Sequence, residues 1–183
     1  QTCALPIWGY VTSVHLHQLI DIYNRIGDKL FKRNVRYGLN EQLGVDRAIK
    51  DTLRNNPGEF WFKNNGITIL VERPDFRLDR VEEVLLEHIS EYGDLHFSVI
   101  NGAQTITASA QCLYEMEYDL KECINKGEAE EAAKLEEKIR QSKNAKVLLR
   151  IIHIPHSAQA AESEADSTRE VNEIKIGRAS CRE

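Results

Sequence analysis

No stretch of this 183-residue chain approaches the ~20 consecutive apolar residues of a membrane-spanning helix, so membrane partners of that kind are not expected. Positive charge is also in short supply. Lys and Arg number 24 against 29 Asp and Glu, for a formal charge of -5, which excludes a broadly basic nucleic-acid surface and leaves room only for a local basic groove. Cysteine is scarce, at four residues, and Cys112 and Cys123 lie eleven apart with no Cys-x-x-Cys pair or matching histidine spacing. A zinc site is therefore not expected, and the usage fits a reduced, cytoplasmic chain. Ser-His-Asp sets, paired carboxylates and metal-ligand clusters are missing as well, so no catalytic residue, metal or cofactor is assigned.

The two ends differ from the rest. Residues 1–8 (Gln-Thr-Cys-Ala-Leu-Pro-Ile-Trp) and residues 176–183 (Ile-Gly-Arg-Ala-Ser-Cys-Arg-Glu) read as translated sequencing-adapter sequence. On that reading the native part is 9–175, a partial domain within an internal metagenomic fragment, and Cys3, Cys181 and Trp8 drop out of consideration.

What remains is organised around Ser98-Val99-Ile100-Asn101-Gly102-Ala103-Gln104-Thr105-Ile106-Thr107-Ala108. The apolar run Phe97 to Ile100 predicts the end of a buried strand. Asn101-Gly102 supplies a turn, since both residues tolerate positive φ, and Thr105 and Thr107 offer hydroxyls near a helix start. A strand, a polar turn and a helix N-terminus bring backbone N–H groups and side-chain amides to one point, suited to an anion or polar ligand. The alternative is a strand-to-helix turn without a ligand.

Elsewhere, apolar residues at helical spacing predict a helix from Val11 to Leu30, which would point His15 and His17 to different faces. Leu30 to Leu39 is basic with interleaved Phe31, Val35 and Tyr37. There Arg33 and Arg36 are candidate phosphate or carboxylate ligands, unless they pair with acidic neighbours. A second helix is predicted over Val45 to Leu53. Phe60 to Val71 reads as a dense strand in which Asn64-Asn65-Gly66 makes a hairpin turn or bulge. Pro74 to Asp94 reads as a surface connection with a short helix around Val81 to Ile89. A helix from the central motif to about Cys123, a break at Gly127 and a solvated helix over Glu128 to Arg140 follow. Ala145 to Ile154, apolar on both faces, predicts a central strand, with His153 a satisfied residue near its end, and Ser157 to Ile174 turns helical. Strands alternating with helices predict an α+β (mixed α/β) domain with a central mixed sheet and flanking helices.

Phe60-Trp61-Phe62-Lys63-Asn64-Asn65-Gly66-Ile67-Thr68-Ile69, followed by Val99-Ile100-Asn101-Gly102-Ala103-Gln104-Thr105, resembles the AIPR family of abortive-infection phage-resistance proteins. These proteins are often found beside restriction-modification genes in bacteria. Leu30 to Arg36, Ile49, Thr52-Leu53 and the strand Val147 to Ile152 also sit where that family places similar residues, so the resemblance covers about Val11 to Asn172. Ala103 departs from it, standing where the family usually has a second Gln or a Cys. Asn172 matches the start of the family's Asn-x-Gln element, whose Gln has no counterpart here. The Ile100-to-Thr105 loop is also similar to the Asp-Gly-Gln-His-Arg loop of ParB/sulfiredoxin-like domains, where a strand-loop-helix binds nucleotide phosphates. Thr105 and Ile106 replace the His-Arg pair, and Arg36 is the candidate substitute cation.

The resemblance implies anti-phage defence by abortive infection. The residues imply a polar pocket with Asn101, Gly102, Gln104 and Thr105 as one wall, Asn64, Asn65, Gly66 and Thr68 as the other, and Arg36 bringing positive charge. Amides and hydroxyls orient ligands well but are poor acids and bases at neutral pH. The expected partners are a nucleotide or nucleic acid, or a phage or host protein. Two alternatives to a ligand-binding defence protein remain open: a nucleotide- or nucleic-acid-processing enzyme, and a non-enzymatic sensor of a phage or host protein.

Overall fold

The computed structural model describes residues 8–35, 37, 43–72 and 97–154. Within them a four-stranded sheet has the order β1-β4-β2-β3, with β1 at Trp8–His15, β2 at Ile67–Val71, β3 at Phe97–Asn101 and β4 at Lys146–His153. β1 runs antiparallel to β4, β4 parallel to β2, and β2 antiparallel to β3, so the sheet is mixed. Five α-helices accompany it: α1 (Leu16–Ile26), α2 (Leu43–Asn55), the single turn α3 (Phe60–Lys63), α4 (Ala103–Lys126) and α5 (Ala129–Lys143). The predicted α+β class with flanking helices is what the chain adopts.

One face of the sheet carries the core. Ile67, Ile69, Val71, Val99, Val147, Leu149 and Ile151 alternate along their strands and are all buried. They meet Leu16, Leu19 and Ile20 of α1, Leu53 of α2, Phe60 of α3 and Ile106, Cys112, Leu113 and Met116 of α4 in one cluster. Helices α1, α2 (Ile49, Leu53) and α4 present such residues at three- and four-residue spacing or its multiples, which lays one apolar stripe of each against the sheet, and α3 adds Phe60. Burying a side chain of this kind contributes about 1.5–3 kcal/mol.

Three expectations are corrected. Val11 to His15 is strand, so the helix begins only at Leu16. The run Val11-Thr12-Ser13-Val14 carries β-branched residues on both sides of a serine and pairs residue by residue with β4 from Arg150 to Val147. Phe60 to Lys63 is a helical turn and leaves only Ile67–Val71 as strand. Pro57 opens a 3-10 turn (Pro57–Glu59) ahead of it, and the Asn64 N–H donates to Phe60 O at 3.2 Å. A strand would place Phe60 and Phe62 on the same face, whereas Phe60 is fully buried and Phe62 is 83% exposed. Asn64-Asn65-Gly66 is thus a helix-to-strand connection and makes no hairpin. Finally, β4 does lie between two strands, but only one of its faces is fully buried, because Lys146 and Arg150 on the other face are exposed.

The remaining expectations for α2, β3, α4 and α5 hold to within a turn. Gly127, at φ 75°, ends α4, and its N–H reaches back to Ile124 O at 3.1 Å. The predicted short helix at Val81 to Ile89, the helical reading of Ser157 to Ile174, and Arg36 lie outside the described residues. Among the described residues no helix is long and apolar enough to cross a membrane.

Candidate functional site

The two Asn-Gly segments meet. Gly102 lies at φ 93° between the end of β3 and the first turn of α4. A Cβ on Gly102 would come within 2.8 Å of Ile67 Cγ1 and 3.1 Å of Gly66 O. Gly66, at φ 77°, is as tightly enclosed: a Cβ there would lie 2.7 Å from Leu148 O and 3.2 Å from Arg150 Nη1. Both positions need glycine for conformation and for space, because left-handed backbone and backbone-to-backbone approach coincide at each.

The sheet register completes the arrangement. Thr68 pairs with Asn101 on one side and with Arg150 on the other, and Arg150 pairs with Val11. Paired positions in adjacent strands share a face, so Thr68 and Arg150 lie on the face opposite the core, with Asn101 paired beside Thr68 at the end of β3. A register shift between Thr68 and Ile69 marks where the Thr68–Asn101 pair leaves the regular ladder. The Arg150 Nη1 donates to Asn65 O at 2.7 Å, which ties the cation to the 64–66 connection. Beyond Gly102 the 24-residue α4 begins, and Gly102 has no side chain with which to cap it. The partial positive charge of that helix end lies beside Gly66, whose neighbour Asn65 holds the exposed Arg150 guanidinium.

The expected site residues divide as follows. Asn101, Gly102, Gly66 and Thr68 are brought together, Asn65 joins them through its carbonyl, and Gln104 and Thr105 lie half-buried in the first turn of α4. The Asn64 amide donates to Phe60 O at 3.0 Å and so closes α3. Thr107 Oγ1 donates to Gln104 O at 3.3 Å, within the helix. Ala103 is buried, so its position faces the core. Arg33 forms an ion pair with Glu72, and its backbone N–H donates to Ser98 Oγ at 3.1 Å. Ser98 in turn donates to Leu30 O at 3.1 Å, so the basic segment is pinned to β3.

Arg150 is the residue that sequence reasoning missed. Its signal was a single cation inside an apolar strand, Val147-Leu148-Leu149-Arg150-Ile151-Ile152, at a position where alternation turns it away from the core.

Behind the site, α2 and α4 are joined by a charged cluster. Glu115 receives Lys50 at 2.8 Å and Arg54 at 2.6 Å, and the Lys50 hydrogen bond holds its carboxyl below the ordinary range. Burial raises the neighbouring Cys112 thiol, whose Sγ lies 3.7 Å from Lys50 O. These contacts fix how α4 lies across the sheet, and hence where its N-terminus points.

No curated protein and no solved structure matches the chain. A family model described as AIPR protein matches residues 31–174, a span that includes both Asn-Gly segments, β4 and Arg150. Membership in that family supports a role in phage resistance by abortive infection, and the match extends over well more than half of the sequence: the chain belongs to the AIPR family.

Proposed function

We propose that this chain serves anti-phage defence by abortive infection, and that the edge formed by residues 64–68, 101–105 and Arg150 binds the phosphate of a nucleotide. The observation that carries the reading is the seating of Gly102 against Gly66 and Ile67, with Arg150 anchored to Asn65 one strand away. A helix N-terminus favours an anion through its dipole and outward N–H groups, and a guanidinium adds charge-assisted donors in a planar fork. Asn101 and Thr68 add neutral donors and acceptors that select by geometry. With a chain charge of -5, attraction to an anion has to be local, and Arg150 makes it so. Association with restriction-modification genes and a cytoplasmic location fit this reading.

A thermal-shift titration with nucleoside triphosphates and with short DNA and RNA tests it. A nucleotide at a hundredfold its dissociation constant should stabilise the chain by about 2.7 kcal/mol. The Arg150→Gln and Asn101→Ala variants should each lose most of that shift. An unchanged melting temperature in a cooperatively melting protein overturns the reading, as does a shift of equal size in both variants. Binding of DNA or RNA but not of mononucleotides would redirect the proposal to a nucleic-acid end.

A further inference from the structure

Of the two strands at the margins of the sheet, β3 has a neighbour on its far side and β1 has none. Ser98 Oγ of β3 takes the Arg33 N–H at 3.1 Å and donates to Leu30 O at 3.1 Å, which holds the 30–33 segment against that strand. β1 pairs with β4, and among the described residues no strand pairs with its other side.

Parity decides which of its backbone groups are open. The Leu16 N–H donates to Ala145 O at 2.8 Å, one step beyond the His15–Lys146 pair. Backbone groups of an antiparallel ladder alternate between the two sides, so Val14, Thr12 and Tyr10 also turn theirs to β4. Those of Gly9, Val11, Ser13 and His15 therefore face the open side. His15 is closed off, because its N–H donates to Gln18 Oε1 at 2.9 Å. Nor do His15 and His17 diverge: their Nδ1 atoms lie 3.2 Å from Asn144 O and 2.8 Å from Lys143 O, which ties this end of β1 to the end of α5. Gly9, Val11 and Ser13 remain, and all three are exposed. Val11 is 68% exposed, and a Cβ on Gly9 would meet nothing within 4 Å.

An edge strand is ordinarily guarded by a lysine, a proline, a bulge or its own shortness. β1 has none of these: it is 8 residues long, keeps unbroken register with β4, and holds no Asp, Glu, Lys, Arg or Pro. Its open residues are self-complementary. A second copy turned about a twofold axis at Val11 sets Val11 against Val11, and Gly9 and Ser13 against each other on both sides, each pair exchanging two backbone hydrogen bonds. The exposed valine then meets its twin, flanked by small side chains. Charge also suits a second copy. The chain carries a formal -5, yet the charged residue paired with Val11 is Arg150, one strand back from the open side. The two Arg150 positions would lie three strand spacings apart, about 14 Å, which exceeds the screening length of about 8 Å.

We propose that β1 is the interface to a second copy of this chain, the two β1 strands pairing antiparallel about Val11 so that both sheets become one. Sedimentation velocity on the full chain should show a monomer at low concentration passing to a dimer as concentration rises. Val11→Lys sets like charges against each other across the axis and should weaken association by roughly tenfold or more, with the melting temperature of the dilute chain unchanged. Ser13→Pro removes a donor on the open side and should weaken association as well. Amide hydrogen exchange on the wild-type chain needs no variant to fold. The Gly9, Val11 and Ser13 amides should exchange more slowly as concentration rises, while those of Tyr10, Thr12 and Val14 stay protected throughout. A chain that remains monomeric overturns the proposal, and so does a dimer that Val11→Lys leaves intact. Exchange at Gly9, Val11 and Ser13 that ignores concentration overturns it too.

Discussion

The two ends of α4 are both set by a glycine in left-handed conformation, Gly102 at φ 93° and Gly127 at φ 75°. Only one of them is crowded. A Cβ on Gly102 would strike Ile67, whereas a Cβ on Gly127 would meet nothing within 4 Å. The same residue type therefore does two different jobs. At Gly127 it relieves a backbone preference and lets the chain reverse into α5. At Gly102 it also permits the helix start to press against β2, which makes the candidate site a single rigid edge and stops it being two separate turns.

The largest effect that tests this contrast is Gly102→Ala. Left-handed strain of about 1–2 kcal/mol combines there with overpacking of about 1–3 kcal/mol, so urea denaturation should show a loss of about 2–5 kcal/mol. Gly127→Ala carries only the strain and should cost about 1–2 kcal/mol. Equal losses at the two positions would erase the distinction.

A smaller effect sharpens it from the other end of the α4–α5 pair. Ser142 is buried on α5, and its Oγ lies 2.8 Å from Leu53 O of α2. Ser142→Ala leaves that carbonyl without its donor and should lower stability by about 1–2 kcal/mol. Nucleotide binding should be unaffected if the site depends only on the crowded end. A variant that lost both would show that α5 helps to aim the N-terminus of α4.

The smallest effect is electrostatic. Glu115, whose side chain is 35% exposed, has its carboxyl pulled down chiefly by Lys50 and then by Arg54. A carboxylate depressed in the folded state stabilises above its unfolded pKa of about 4.3, and that contribution is lost as pH falls through the folded value. Glu115→Gln should therefore cost about 0.5 kcal/mol near neutrality, after screening by solvent, and nothing in strong acid. A pH-melting series on wild type and variant checks the sign. A variant that lost as much stability in strong acid as at neutrality would assign the effect to packing.

Much of the fold could be read directly. Apolar residues at helical spacing marked α1 and α2, the polar turn followed by small and apolar residues marked the start of α4, and the apolar run at 147–152 marked an interior strand, because burial leaves its period in the sequence. The run from Phe60 to Val71 misled for an equally physical reason. Phe, Trp and Ile favour strands on average, but Pro57 started a helical turn whose hydrogen bond from Asn64 to Phe60 overrode that preference. At the candidate site, Gly102 and Gly66 were legible because left-handed turns demand particular residue types, whereas Asn101, expected in the turn, is the last residue of β3. Arg150 was not, since a lone arginine in a strand looks the same whether it faces solvent or a ligand.

By itself, then, the sequence determined the family, the mixed α+β class, most helices and the two turns where glycine is required, all of which follow from local conformation and short-range periodicity. Only the tertiary structure decided that the two turns touch, that Thr68 stands between Arg150 and Asn101, and that His15 and His17 converge on the end of α5. Each of these joins residues more than 30 positions apart, and strand order and register, set by burial of the whole sheet face, are what bring them together.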